Sequence, residues 1–330
     1  MAALAPPVAA IRVAVRRALT DLPSGGPVLV ACSGGADSLA LAAATVFVAP
    51  RLGRPAGLVT VDHGLQDGSA QRAEAVAAWA REAGFAPVVA VPVEVAGRPG
   101  GPEAAAREAR YEALTEAARR YAAVAVLTGH TRDDQAETVL LALARGAGPR
   151  GLAGMPGRRD LSGVPLLRPL LGIGREQTRA ACAALGLDPW QDPHNTDPSY
   201  ARSRVRADVL PALVRTLGPA VVDNLARTAR LVAADNAALD EIAAMALVAA
   251  RHPAGGLAVV ELANLAVAVR GRVLHAWARE LGAVAGALSH RHVDALDALV
   301  TDWHGQGPTD LPGGARVLRR GDRLAALSPD

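Results

Sequence analysis

The stretch "VLVACSGGADSLALAAA", Val28 to Ala44, limits the fold more than any other part of the chain. An apolar run of strand length ends in Ser-Gly-Gly, and an apolar helical pattern follows at once. A strand without polar alternation is covered on both faces, as in a parallel sheet. Three further apolar runs read as strands: "GLVTVD" at 57–62, "APVVAVPVEV" at 86–95 and "AVAVLTG" at 123–129. The helical patterns between and after them are "SAQRAEAVAAWAREAG", "PEAAAREARYEALTEAARRYA" and "DDQAETVLLALARG". Pro102 falls in the first turn of the second, where proline is favoured, and Gly146 closes the third. The alternation predicts an α/β fold, a parallel sheet with helices on both faces.

Beyond Gly146 the pattern loosens. "AGPRGLAGMPGRRDLSG" reads as a long loop, "VPLLRPLL" as a short strand, "REQTRAACAALG" as a helix and "LDPWQDPHNTDPSYARSR" as an irregular segment. From about Val209 onward helical patterns dominate, and "TDLPGGARVLRRGDRLAAL" reads as a small hairpin. The expected division is a nucleotide-binding domain over 1–215 and a smaller, mainly helical domain with a C-terminal hairpin over 216–330.

Composition removes several classes. No apolar run is long enough to span a bilayer, and no basic residue precedes the apolar N-terminal stretch. A soluble cytoplasmic protein is expected. The two cysteines, Cys32 and Cys182, form no CxxC pair, which excludes thiolate zinc clips and cysteine-ligated clusters. All 35 basic residues are arginine. A Walker-type phosphate loop requires a lysine, so this chain cannot contain one. The net charge is only +3, yet residues 145–206 hold ten arginines against five acids. A local basic stretch in a nearly balanced chain points to a polyanionic partner.

The Ser-Gly-Gly turn gathers backbone N–H groups at a helix N-terminus, with Ser33 and Ser38 adding hydroxyls. Ser33, Gly34, Gly35, Ala36, Asp37 and Ser38 thus read as an anion cradle suited to phosphate. A carboxylate, Asp37, is out of place beside phosphate unless a divalent cation lies between them, so Mg²⁺ is expected there. The plainer reading is a glycine turn with Ser and Asp as caps. The motif resembles the PP-loop of the ATP pyrophosphatase superfamily, whose members cleave ATP between the α and β phosphates and adenylate a substrate oxygen.

The resemblance extends through "TVDHGLQDGSA", "EAAAREARYEAL", "LTGHTRDDQAETVLLALARGAGPRGLAGM", "RPLL" and "DPHNTDPSYARSRVRADVLPAL". In this order they are similar to the segments of the tRNA(Ile)-lysidine synthase family, over about 28–213. The resemblance implies an adenine nucleotide alpha hydrolase-like fold, with ATP and Mg²⁺ required. It implies transfer of L-lysine to carbon-2 of the wobble cytidine in CAU-anticodon tRNA(Ile), through an adenylated cytidine. The product changes codon and amino-acid identity from methionine to isoleucine. It also leans toward a homodimer and a tRNA-binding role for residues 216–330.

His130, Asp134 and Glu137 fall at i, i+4 and i+7, so one helix face can carry all three. Placed at the end of a strand beside the nucleotide loop, they are candidate site residues. The resemblance places the lysine substrate at Asp134, with His130 and Glu137 as support, and makes Arg110 an active-site arginine. Asp62 and His63 end the second strand and are candidates for ATP contact. Arg145, Arg150, Arg202 and Arg206 are candidates for RNA or phosphate, although Ser203 stands where the family pattern has asparagine. Competing readings are a PP-loop tRNA thiolase, another ATP-dependent adenylating enzyme, or a non-catalytic nucleotide- and RNA-binding module. The cysteine positions speak against the first, and the acids around the loop against the last.

Overall fold

The computed structural model describes residues 4–64, 68–95, 97–98, 101–192 and 197–327. Parts of the "DHGLQDG" and "DPHNTDP" segments therefore lie outside the described residues. The chain divides into two compact units, Met1–Ala233 and Ala234–Asp330.

The first unit is built on six strands: β1 Val28–Ala31, β2 Ala56–Asp62, β3 Val88–Pro92, β4 Ala125–Thr128, β5 Arg158–Leu161 and β6 Val164–Leu167. Their spatial order is β3-β2-β1-β4-β6-β5. All neighbours pair parallel except β5, which runs antiparallel to β6 through the tight turn at Ser162 and Gly163. The expectation of a loop over 147–163 is thereby corrected. Its end is an edge strand, and Gly148–Leu152 forms a short helix. "RRDL" has no apolar pattern because an edge strand has water on most of its surface, and three of its four residues are exposed.

Helices α1 Pro6–Thr20, α2 Ala36–Val48, α3 Ser69–Glu82, α4 Pro102–Arg120, α5 Arg132–Ala144, α6 Gly148–Leu152 and α7 Arg175–Ala184 surround this sheet. The two-residue period of the strands sorts their side chains into two cores. Val28, Val30, Leu58, Ala125 and Leu127 face α1, α2, α3 and α7. Leu29, Val59, Val126 and Leu166 face α4. Leu29, Leu58, Leu127 and Leu166 are fully buried, and each such burial stabilises by about 1.5–3 kcal/mol. Helix α1 was not evident in the sequence pattern; it buries Val8, Ile11, Val15 and Leu19 on one stripe.

Strand β1 pairs with both β2 and β4. The chain moves outward from β1 through β2 to β3, then returns across the sheet to β4. This reversal of direction opens a crevice at the C-terminal ends of β1 and β4, where ligands of such sheets bind.

After α7, a helical stretch runs as α8 Ala201–Arg204, one π-helical turn Val205–Val209, and α9 Leu210–Leu217. Helix α10, Val221–Ala249, contains the junction between the two units. The expected boundary at 215 lies within α9, ahead of this junction. The first turns of α10 belong to the first unit because Val222 and Leu225 pack with Leu140, Val205 and Leu210.

The second unit holds β7 Leu257–Ala258, α11 Val259–Ala263, α12 Val267–Glu280, α13 His290–Thr301, β8 Thr309–Asp310, β9 Arg316–Arg320 and β10 Arg323–Leu327. The expected hairpin is β9–β10, and it is the centre of an antiparallel sheet ordered β7-β10-β9-β8. Two-residue strands such as β7 and β8 leave no readable period. The core of this unit gathers around Trp277, Leu262, Leu296 and Leu324. Inside it, buried Arg270 reaches Asp297 at 2.6 Å and the Leu265 carbonyl at 2.9 Å.

Candidate active site

A cavity of about 1090 Å³ opens at the crevice between β1 and β4. The Ser-Gly-Gly loop forms one wall. Gly34 adopts φ +84°, a conformation that L side chains rarely adopt, and a Cβ there would sit 3.0 Å from Val76. The loop is held from within. The Ser33 amide donates to Ser38 Oγ at 3.2 Å, and Ser38 Oγ donates to the Gly35 carbonyl at 2.9 Å. The Trp190 amide donates to the Gly34 carbonyl at 3.0 Å, so the segment after α7 is tied onto the loop. On the other side, Gly129 passes so close to α2 that a Cβ would meet the Asp37 carbonyl oxygen at 2.9 Å. Ser33, Gly35, Ala36, Asp37 and Ser38 all line the cavity. Gly34 shapes the turn behind them.

The acid end is built on α5. Thr131 caps this helix, with its hydroxyl donating to Asp134 Oδ2 at 2.9 Å and its amide to the same oxygen at 2.8 Å. His130 therefore precedes the helix, and the expectation that one helix face carries His130, Asp134 and Glu137 is corrected. The Thr-x-x-Asp capping box starts the helix after His130. His130 still lines the cavity from the β4–α5 turn, and its Nδ1 lies 3.0 Å from Thr128 Oγ1.

Asp134 Oδ1 accepts from Arg175 Nη2 at 2.9 Å and lies 3.4 Å from Arg206 Nη2. Glu137 is fully buried beneath it and receives Arg206 Nε at 2.7 Å and both Arg175 terminal nitrogens at 3.3 Å. Arg202 stands 3.8 Å from Glu137 and donates to Thr138 Oγ1 at 3.1 Å. Arg175 Nε reaches Asp37 at 3.6 Å, and its backbone amide donates to Asp133 Oδ2 at 2.8 Å. One guanidinium thus joins three carboxylates. Nothing in the sequence singled out Arg175; its place at the N-terminus of α7 is set by tertiary packing alone.

Arg202 and Arg206, expected to reach RNA or phosphate, turn inward, because the buried Glu137 carboxylate needs cationic partners. Both still line the cavity. Arg145 and Arg150 are exposed on the far end of α5 and on α6, and neither lines the cavity.

Charge in this pocket follows from burial. Desolvation raises the Asp37 carboxyl above the usual range, despite the Thr178 hydroxyl donated to it. For Asp134, burial works upward, yet Arg175 and the Thr131 cap win and hold the carboxyl below its ordinary value. His130 is pushed down to about 3, first by burial and then by Arg168, Arg110 and Arg107, so it is neutral near pH 7. His63 is lowered by burial and by Arg110, and Asp62 by Ser69 and Gly64 against the effect of burial. Asp62, His63 and Arg110 all line the cavity. Burial raises both thiols, Cys182 to about 11, which keeps them protonated.

The residues fit a magnesium ion held jointly with substrate. Asp37 is 25% exposed to the cavity, and its raised carboxyl marks a negative charge that the protein compensates incompletely. Among the described residues no three acidic, histidine or cysteine side chains could hold a metal by themselves. Magnesium is commonly held by one or two carboxylates together with substrate phosphates, as a lone Asp37 beside the loop would permit.

Fold and loop define the class: residues 11–213 match the PP-loop domain, an ATP-utilising module, and 257–325 match the TilS substrate binding domain. The full length then defines the family. The chain is 78% identical over 329 residues to the tRNA(Ile)-lysidine synthase of Salinispora arenicola, covering 100% of this chain and 99% of that protein. It is 56% identical to that of Thermobifida fusca, covering 98% of each. The chain belongs to the tRNA(Ile)-lysidine synthase family. The U34-tRNA thiolase NcsA from Methanococcus maripaludis, solved with its 4Fe–4S cluster, shares the fold at TM-score 0.54. Identity there is 20%, over 68% of this chain and 80% of that one. Among the described residues no helix is long and apolar enough to cross a membrane.

Proposed function

We propose that this chain ligates L-lysine to carbon-2 of the wobble cytidine of CAU-anticodon tRNA(Ile), with ATP converted to AMP and pyrophosphate. The observation that carries the reading is the meeting of the PP-loop and Asp134, backed by the buried Glu137, at one cavity of a chain with full-length relatives of that name. In this reading the loop amides and the Ser33 and Ser38 hydroxyls hold the ATP phosphates, and Asp62 and His63 lie toward the adenosine. Asp37 would hold Mg²⁺, which would offset charge on the leaving pyrophosphate. The cytidine carbonyl oxygen attacks the α phosphate, and the lysine ε-amine then attacks carbon-2 and displaces AMP.

Lysine enters beside Asp134 Oδ1, in company with Arg175 and Arg206. Two guanidinium groups lower the pKa of a neighbouring ammonium, which favours the neutral amine that the attack needs. Neutral His130 adds no further positive charge and can accept a hydrogen bond. Arg110 faces the nucleotide or cytidine. We place the reaction in the cytoplasm, and propose a homodimer on the resemblance alone. Residues 216–330 would contact the tRNA.

Incubation with CAU-anticodon tRNA, ATP, Mg²⁺ and lysine, followed by nucleoside mass spectrometry, tests the reading. A lysine-mass addition on cytidine is expected, and Asp37→Ala should lose it together with pyrophosphate release, a fall of more than about 100-fold. An unmodified cytidine with the wild-type chain, or full pyrophosphate release with the variant, overturns it.

A further inference from the structure

A second group of charges, of a different kind, borders the cavity through Arg107, Arg110 and Tyr111. Around the Tyr111 ring stand Arg107 at 5.1 Å, Arg159 at 5.3 Å and Arg110 at 5.6 Å, measured from each guanidinium carbon to the ring centroid. Arg168 lies beneath them, 4% exposed. Its Nη1 donates to the Pro156 carbonyl at 2.7 Å, and its buried Nε has no hydrogen-bond partner. Among the described residues no carboxylate pairs with any of these four arginines. Their mutual repulsion is felt locally. Burial and the neighbouring arginines hold Arg110 and Arg168 below the usual arginine range, and the cluster lowers the Tyr111 phenol although burial works against it.

Gathered cations with no counter-charge are unfavourable in a folded chain unless an anion completes them. The planar guanidinium fork matches a phosphate in particular. The loop at α2 already provides one phosphate cradle, on the face of the sheet covered by α1, α2, α3 and α7. The arginines belong to the other face, on α4, on the edge strand β5 and just after β6. Arg107 and Arg159 are exposed there, so the cluster opens to solvent at the sheet edge, as a polymer strand requires.

We propose that Arg107, Arg110, Arg159 and Arg168, gathered around Tyr111, bind a phosphodiester of the RNA strand that carries the target cytidine. The proposal rests on the tRNA-modifying reading above and gives the polyanion a second, separate anchor. It also gives Arg159 and Arg168, two of the ten arginines of the basic stretch 145–206, a ligand.

The test uses the full chain with Arg107→Gln and Arg159→Gln combined, two exposed positions that the fold tolerates. Binding of CAU-anticodon tRNA is measured at several salt concentrations without ATP, and the KM for ATP is measured by pyrophosphate release at saturating tRNA. The tRNA Kd should rise about tenfold. The slope of log affinity against log salt should become shallower by about one, the loss of one phosphate contact. The KM for ATP should stay within twofold. Arg107→Lys with Arg159→Lys should restore the salt slope. A raised KM for ATP with unchanged tRNA binding would assign the phosphate to ATP and overturn the proposal, as would no change in either quantity. A wild-type chain that binds no tRNA would sink the functional reading first, and is seen before any variant is made.

Discussion

Two charged regions face one cavity, and they are organised in opposite ways. Around Glu137, three arginines meet three carboxylates, and the charges close upon one another. Around Tyr111, four arginines meet no carboxylate among the described residues. In the first arrangement the protein itself supplies the counter-charges of the buried Glu137, which makes it a frame, while Asp37 keeps charge for a ligand. The second is incomplete and is finished by a ligand. Counting basic residues along the sequence cannot distinguish them, since Arg168, Arg175 and Arg206 lie in the same basic stretch.

The comparison is broken most severely by removing the carboxylate at the centre of the closed region. Glu137→Gln leaves Arg175, Arg202 and Arg206 facing a neutral amide in a fully buried place. Breaking a buried pair in this way costs about 3–5 kcal/mol. Thermal unfolding followed by circular dichroism should show the loss, and a variant as stable as the parent would mean that this region is no frame. Asp134→Ala acts more mildly on stability, by about 1 kcal/mol for the lost helix cap. Its larger expected effect is on substrate: the KM for lysine should rise at least tenfold while the KM for ATP changes little. Equal changes in both would withdraw the lysine role from Asp134.

At neutral pH the smallest effect concerns His130. The folded chain keeps this imidazole neutral down to about pH 3, whereas the unfolded chain takes up a proton near its ordinary 6.5. The unfolded state therefore binds more protons between these values, and stability falls as pH drops from 6.5 toward 3, with no contribution above 6.5. His130→Gln should flatten that part of the stability–pH curve measured by denaturant titration. An unchanged curve would mean that neither burial nor the neighbouring arginines hold this ring neutral.

The parts legible in the sequence are those whose signal is local. The Ser33–Ser38 loop could be read because glycine and hydroxyl residues at a strand–helix junction have few other uses, and β1, β2 and β4 because burial on both faces leaves unbroken apolar runs; β3 shows such a run although it is an edge strand with no buried residue. The placement of His130 failed by two residues. Spacing arithmetic assumed a helix from His130 onward, while Thr131 and Asp134 carried a capping signal that starts it later. Arg175 was illegible for a different reason. Its partners Asp37 and Asp134 lie 138 and 41 positions away, counted from their residue numbers, and only the packed sheet brings them together. The edge strand β5 and the two-residue strands β7 and β8 show no period because they have little buried surface to impose one.

The bare Cα of Gly129 sets a mechanical tolerance. Because the Asp37 backbone lies within a methyl group's reach of it, the start of α2 and the turn bearing His130 have no slack between them. They are packed as one jaw. Any side chain at this position would act as a wedge, spreading the nucleotide loop from the acids that share its cavity. A change of a single carbon would uncouple the two halves of the chemistry without touching a reacting group.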